Sequence, residues 1–270
     1  MLIHPQFDPI AFSLGPIAVR WYGLMYLLAF AGFFLLGRWR LQQPAFAKST
    51  GLAPRDLEDL LFWGALGVVL GGRLGYVLFY KPGYYLGHPL EVLAVWQGGM
   101  SFHGGLLGLI LAGWLFSHKR DKPFFLLTDL GAVAAPPGLF FGRIGNFING
   151  ELFGRVTDSA WGMVFPAGGD LPRYPSQLFE AFFEGLILFA IMYSLSFKPR
   201  RHGTLLAIFL ICYGFMRFGL EYFREPDAQL GFVVMGAITM GQTLCLAMII
   251  CGIVLLGFLR AQSGKNHPSG

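Results

Sequence analysis

Apolar residues in this chain come in runs of about 20, the length an α-helix needs to cross the hydrocarbon core of a bilayer. Seven such runs are broken by short polar stretches; they lie near 17–37, 58–80, 99–117, 124–143, 176–197, 203–224 and 236–259. Only 13% of the residues are charged and 55% are hydrophobic, where soluble domains carry about 25% charged residues. The expectation is an all-α, polytopic membrane protein with seven transmembrane helices in a single integral membrane domain, residues 1–270. The first nine residues lack the basic region and small-residue cleavage site of a secretory signal.

The basic residues are distributed unevenly between the two sides. Connections one, three and five carry Arg38, Arg40, Lys48 and Arg55, then Lys119, Arg120 and Lys122, then Lys198, Arg200 and Arg201, and the tail adds Arg260 and Lys265. The opposite side has Lys81, Arg155 and Arg173. Because Lys and Arg collect on the cytoplasmic side, the N-terminus is expected outside and the C-terminus in the cytoplasm. The net charge of +5 is therefore read as topology, with no nucleic-acid partner. Residues 144–175 become an extracytoplasmic loop or head between spans four and five. Pro136-Pro137 is expected to break span four. Glycines at four-residue steps (Gly67, Gly71 and Gly75; Gly104 and Gly108; Gly138 and Gly142) are expected to let helices approach closely. Cys212, Cys245 and Cys251 all fall in apolar runs and read as packing residues rather than disulfides or metal ligands.

Ionisable residues inside a membrane are costly and mark function by default. Arg73, His103, Arg143, Arg217, Glu221 and Arg224 are placed toward the outer half of the bilayer, with Gln177, Glu180 and Glu184 on the outer half of span five. Asp129, near the inner end of span four, is the exception. Arg217, Glu221 and Arg224 share one helical face by spacing. Spans two, four and six repeat an arginine followed two places later by glycine (Arg73/Gly75, Arg143/Gly145, Arg217/Gly219), which raises the prospect that these arginines face one cavity. Snorkelling or a local ion pair accounts for Arg224 beside Glu221 and Glu225, fits Arg143 and Arg217 poorly, and leaves Arg73 undecided. Glu180 and Glu184 read as holding arginines in place. His103, between glycine pairs in Gly98-Gly99-Met100-Ser101-Phe102-His103-Gly104-Gly105, can accept a proton near neutral pH. Asn146, Asn149 and Glu151 either orient substrate hydroxyls or cap the loop backbone. No metal-ligand spacing is present, and no cofactor is expected.

Gly142-Arg143-Ile144-Gly145-Asn146-Phe147-Ile148-Asn149-Gly150-Glu151-Leu152-Phe153-Gly154 resembles the signature of the bacterial prolipoprotein diacylglyceryl transferases. The similarity continues through Phe7-Asp8-Pro9, Trp21 to Tyr26, Gly98 to Gly105, Pro175 to Glu180, Tyr213-Gly214, Arg217, Glu221 and Phe223-Arg224-Glu225-Pro226-Asp227. The resemblance implies a multi-pass enzyme of the bacterial inner membrane with its site toward the periplasmic face. It implies transfer of the sn-1,2-diacylglyceryl group of phosphatidylglycerol to the lipobox cysteine of a prolipoprotein, with a thioether formed and glycerol-1-phosphate released. It also implies functional importance for His103, Arg143 and Arg217, with Tyr26, Asn146, Glu151, Gly154, Tyr213 and Glu221 near the site. Where relatives commonly carry histidine before Pro-Ser-Gln, this chain has Tyr174.

The chemistry is consistent with those residue types. A free thiol is only a few per cent ionised at neutral pH, so a base or a field of arginines would activate it. Paired, charge-assisted hydrogen bonds from Arg143 and Arg217, with Arg73 as a further candidate, would stabilise a leaving phosphate. His103, Tyr213 and water are the candidate acceptors of the thiol proton. The rival from another class is a transporter or channel for anionic metabolites, which needs a polar path through both leaflets. The second enzyme alternative, a headgroup transferase acting on a soluble nucleophile, is expected to carry acid-rich metal motifs.

Overall fold

Among the described residues of the computed structural model, five helices are long and apolar enough to cross a membrane: Trp21–Leu41, Pro54–Phe79, Phe124–Ile148, Ser176–Ser196 and Met240–Gln262. The structure describes residues 2–15, 17–225, 232–234 and 238–265. Pro226 and Asp227 of the family-like segment and residues 236–237 of the seventh expected span lie outside that set. Strands β1 (Leu2–Ile3), β2 (Ile10–Leu14) and β3 (Ile17–Arg20) precede α1 (Trp21–Leu41), α2 (Pro44–Thr50), α3 (Pro54–Phe79), α4 (Pro82–Gly87), α5 (Phe102–Lys119) and α6 (Phe124–Ile148). Then come β4 (Met163–Val164), β5 (Pro172–Arg173), α7 (Ser176–Glu180), a π-helical turn (Ala181–Ile187), α8 (Leu188–Ser196), α9 (Thr204–Leu220), β6 (Phe232–Val234), β7 (Ile238–Thr239) and α10 (Met240–Lys265). The fold is mostly helical, and the short strands add β structure to the all-α expectation.

The helices expose apolar side chains that a soluble protein would bury. On α10, Ile250, Ile253, Val254 and Phe258 are all more than half exposed, a continuous apolar face that is stable only against lipid or another apolar surface. The chain is thus a polytopic membrane protein. α5 and α9 overlap the third and sixth expected spans but are not among those five helices; α9 is an apolar helix of shorter length.

Two compact units divide the chain: residues 34–128, and residues 1–33 with 129–270. In the first unit α3 packs along α5 at glycines. A Cβ on Gly71 would strike the Gly104 carbonyl oxygen and come within 2.8 Å of Gly108 Cα, and one on Gly108 would strike the Gly67 oxygen. The four-residue glycine steps of these helices therefore set their separation, as expected for small-residue packing. Gly142 differs, for a Cβ there would meet nothing within 4 Å. At the ends of these helices Arg120 pairs with Asp59 and, at 3.8 Å, with Asp56.

In the second unit α6 carries Arg143 and the start of the signature. It does not break at Pro136 and Pro137 but stays helical from Phe124 to Ile148 with both inside. Proline's fixed φ is close to the helical value, so the residues cost two N–H donors and steric room rather than the helical path itself. The helix also outlasts the expected loop boundary at 144, so the signature starts on helix and leaves it at Asn149. Asp129, early in α6, accepts hydrogen bonds of 2.8 Å from both Gly203 N and Leu206 N, satisfying N–H groups that the first turn of α9 leaves free. α9 and α10 pack closely through Gly214 against Ile249 and Gly252 against Ile211. β1, β4 and β5 form a small sheet in which Leu2 and Ile3 pair with Met163 and Val164.

Candidate functional site

Three helices of the second unit bring their ionisable residues to one buried cluster. Gly185, in the π-helical turn, has no room for a Cβ, which would lie 2.6 Å from Phe140 Cβ of α6. That close approach sets α7 and the π turn beside the stretch of α6 that carries Arg143 one turn after Phe140. Arg143 Nε lies 2.7 Å from Glu180 Oε2, a short ion pair whose angle falls outside that of an aligned hydrogen bond. From α9, Arg217 Nη1 donates to Glu180 Oε1 at 3.1 Å and Nη2 donates to Glu221 Oε2 at 2.7 Å. Glu184 stands 3.8 Å from both Arg143 and Arg217, and Arg224 stands 3.8 Å from Glu180. One carboxylate, Glu180, thus bridges arginines from two different helices.

The far side of the cluster is anchored on α10. Thr239 Oγ1 donates to Glu221 Oε1 at 3.0 Å, and a Cβ on Gly241 would fall 2.6 Å from that same oxygen. Glu221 therefore rests against the N-terminal turn of α10, where a negative charge is favoured by the free N–H groups and the helix dipole. Gln242 closes the turn, exchanging hydrogen bonds with Thr239. Arg143 and Arg217 remain 18% and 12% exposed at the side chain, while Glu180 and Glu184 are 1% and 0% exposed. The arginine side chains keep some exposure, and the carboxylates they pair with keep almost none.

The signature loop is held by its own polar side chains. Glu151 Oε1 accepts hydrogen bonds from Asn146 at 2.8 Å and Asn149 at 3.4 Å. Gln177 Nε2 donates to the Glu151 carbonyl at 2.6 Å, and Ser176 Oγ donates to the Leu152 carbonyl at 3.1 Å. Gly150 adopts φ +65°, in the left-handed region that favours glycine. Gly154 is a backbone joint: its N–H donates to Tyr174 O at 2.8 Å, it bridges to Arg224, and a Cβ would strike the Phe223 oxygen. Tyr174 packs its ring against Phe223 and Phe179, so this position is filled by aromatic packing. Tyr26 is half-exposed on α1 with its hydroxyl 3.4 Å from that of Tyr22. Tyr213 lies one turn before Arg217 on α9 and stacks on Phe209.

Two expected site residues, Arg73 and His103, belong to the first unit. Arg73 is 4% exposed and spends its guanidinium on carbonyls of the segment that follows α3. It donates to Glu91 O at 2.6 Å, Val92 O at 2.8 Å, Gly98 O at 2.6 Å and Gly99 O at 3.3 Å. It therefore fixes a loop with the same donors that would hold a phosphate. His103, at the start of α5, contacts the ring of Phe102 and has no hydrogen bond among the described residues. Arg143 and Arg217 are thus brought together, while Arg73 is committed within its own unit.

Sequence reasoning left out three polar residues. Thr239 and Gln242 are absent from the sequence-based candidates, although polar residues at the start of an apolar run are a usable signal. His4, 4% exposed, places Nε2 2.6 Å from the Phe147 carbonyl oxygen at the end of α6 and packs between Phe147 and Phe165; a lone N-terminal histidine gives no such signal.

The fold and this cluster define a class: a multi-helix membrane protein with a buried arginine–carboxylate network beside a glycine- and asparagine-rich loop. Residues 9–258 match the family described as prolipoprotein diacylglyceryl transferase, and the chain belongs to that family. It is 54% identical to the phosphatidylglycerol–prolipoprotein diacylglyceryl transferase of Cupriavidus pinatubonensis, covering 99% of this chain and 98% of that one. It is similar to the enzymes of the same name from Nitrosomonas europaea (56% identical, covering 100% and 96%) and Bordetella avium (55% identical, covering 99% and 100%).

Proposed function

We propose that the chain transfers the diacylglyceryl group of phosphatidylglycerol to the lipobox cysteine thiol of a prolipoprotein, releasing glycerol-1-phosphate. The observation that carries this reading is the family match from residue 9 to residue 258, which spans all three arginines of the cluster. Arg143 and Arg217, on different helices and partly accessible, would grip the phosphate oxygens and stabilise the charge that builds as the glycerol C–O bond breaks. Glu180 and Glu221 would hold those guanidinium groups in position. Asn146, Asn149, Glu151 and Gly154 would shape the wall for the glycerol headgroup, with Tyr26 and Tyr213 as supporting substrate contacts and Arg73 acting only through the loop it fixes. His103, whose ring nitrogens are uncommitted among the described residues, is proposed to accept the thiol proton.

The reading places the enzyme in the bacterial cytoplasmic membrane with seven crossings, α5 and α9 included. In this proposal its N-terminus and the 149–175 segment face the periplasm and its C-terminus faces the cytoplasm, an orientation that the basic connections support. Surrounding membrane lipids would solvate the exposed apolar helix faces. The test is a labelled lipobox peptide mixed with the protein and phosphatidylglycerol. A mobility shift with glycerol phosphate released in equal amount supports the assignment; neither appearing would return weight to an anion transporter.

A further inference from the structure

Glu184 is held differently from the other two carboxylates of the cluster. Its side chain is 0% exposed, yet neither carboxylate oxygen has a hydrogen-bond partner among the described residues. Glu180 and Glu221, by contrast, accept hydrogen bonds from Arg217, and Glu221 a second from Thr239. A buried ionised carboxylate without hydrogen bonds is expensive. It sits in a π-helical turn, a rare backbone form that is frequent at functional sites, and Gly185 beside it fixes that turn against α6. The ionisable groups that interact with it electrostatically are Glu180 on its own helix, Arg143 from α6, Tyr213 and Arg217 from α9, Arg224 beyond α9, and Cys245 from α10.

The charge count then decides what Glu184 can do. Arg143, Arg217 and Arg224 face Glu180, Glu184 and Glu221, so the fully ionised cluster has no net charge. A phosphodiester entering it brings one negative charge into a low-dielectric site that already balances. We propose that Glu184 takes up a proton from solvent as the lipid phosphodiester binds, so that the cluster presents one net positive charge to one negative charge. This rests on the reading that Arg143 and Arg217 hold the phosphate. Proton and lipid then bind as a linked pair, and the carboxyl keeps its place behind the arginines without competing for them.

The experiment uses the full-length protein in weakly buffered detergent with a pH-indicator dye and short-chain phosphatidylglycerol, with short-chain diacylglycerol as the uncharged control. The wild type is expected to take up as much as one proton per lipid bound, with affinity falling by up to about tenfold per pH unit at the alkaline end. Glu184→Gln is expected to bind the lipid with no proton uptake and a flat pH profile. Glu184→Met replaces it, with the same expected loss of uptake, should the amide variant not fold. Lipid binding by the wild type without proton uptake, or unchanged uptake in either variant, overturns the proposal. A different result marks failure of the phosphate site itself: an Arg143→Gln, Arg217→Gln double variant binding the lipid as tightly as the wild type, which removes the proposal with it.

Discussion

Glu180 is asked to satisfy two arginines at once, one from α6 and one from α9. Removing one partner of a buried pair leaves uncompensated charge, at a cost of about 3–5 kcal/mol. Glu180→Ala is therefore expected to lower the melting temperature in detergent and abolish transfer, as read by thermal denaturation and the peptide mobility shift. His103→Ala is expected to bind phosphatidylglycerol normally while turnover nearly disappears, and unchanged turnover in detergent would remove the imidazole from the reaction. The ionisable residues themselves were legible in the sequence because charge inside an apolar run is conspicuous. Their partners were not. The Arg143–Glu180 pair joins separate helices, and Arg224 reaches Glu180 while Glu225 pairs with Arg173 at 2.9 Å, an exchange that local spacing cannot foresee. Arg73 shows the same limit, since the carbonyls it holds come from a segment whose path only the fold sets.

At the scale of elements, two glycine contacts decide the geometry. Gly71, Gly104 and Gly108 bring α3 and α5 to backbone contact, and Gly185 brings the π turn to α6. Gly108→Leu is expected to separate α3 from α5, since overpacking alone costs about 1–3 kcal/mol; the readout is a lower melting temperature. Glycine steps were legible because their four-residue interval is helical. The π turn was not, because it shares its composition with the α-helix on either side. Strands of two residues, such as Leu2–Ile3 and Met163–Val164, are too short to show an alternating pattern. Pro136-Pro137 misled in the other direction: proline disfavours a helix interior, but tertiary packing can carry the helix through.

For the whole molecule, the apolar runs marked the class of protein, and the uneven basic connections favour an orientation that can be measured. A cysteine placed at Asp158 is expected to react with a membrane-impermeant maleimide in intact spheroplasts, and one at Lys119 only after the membrane is opened. The reverse labelling would invert the topology and place the signature loop away from the exported peptide. The charge distribution also bears on how an arginine-rich cluster can exist in so apolar a chain: each guanidinium described there has a carboxylate within 4 Å, which offsets part of the penalty for burying it.

An experimental structure with phosphatidylglycerol bound decides whether Arg143 and Arg217 hold one phosphate. Phosphate oxygens are expected about 2.7–2.9 Å from nitrogens of both guanidinium groups. A phosphate seated elsewhere, with both arginines still turned to Glu180, would contradict that expectation.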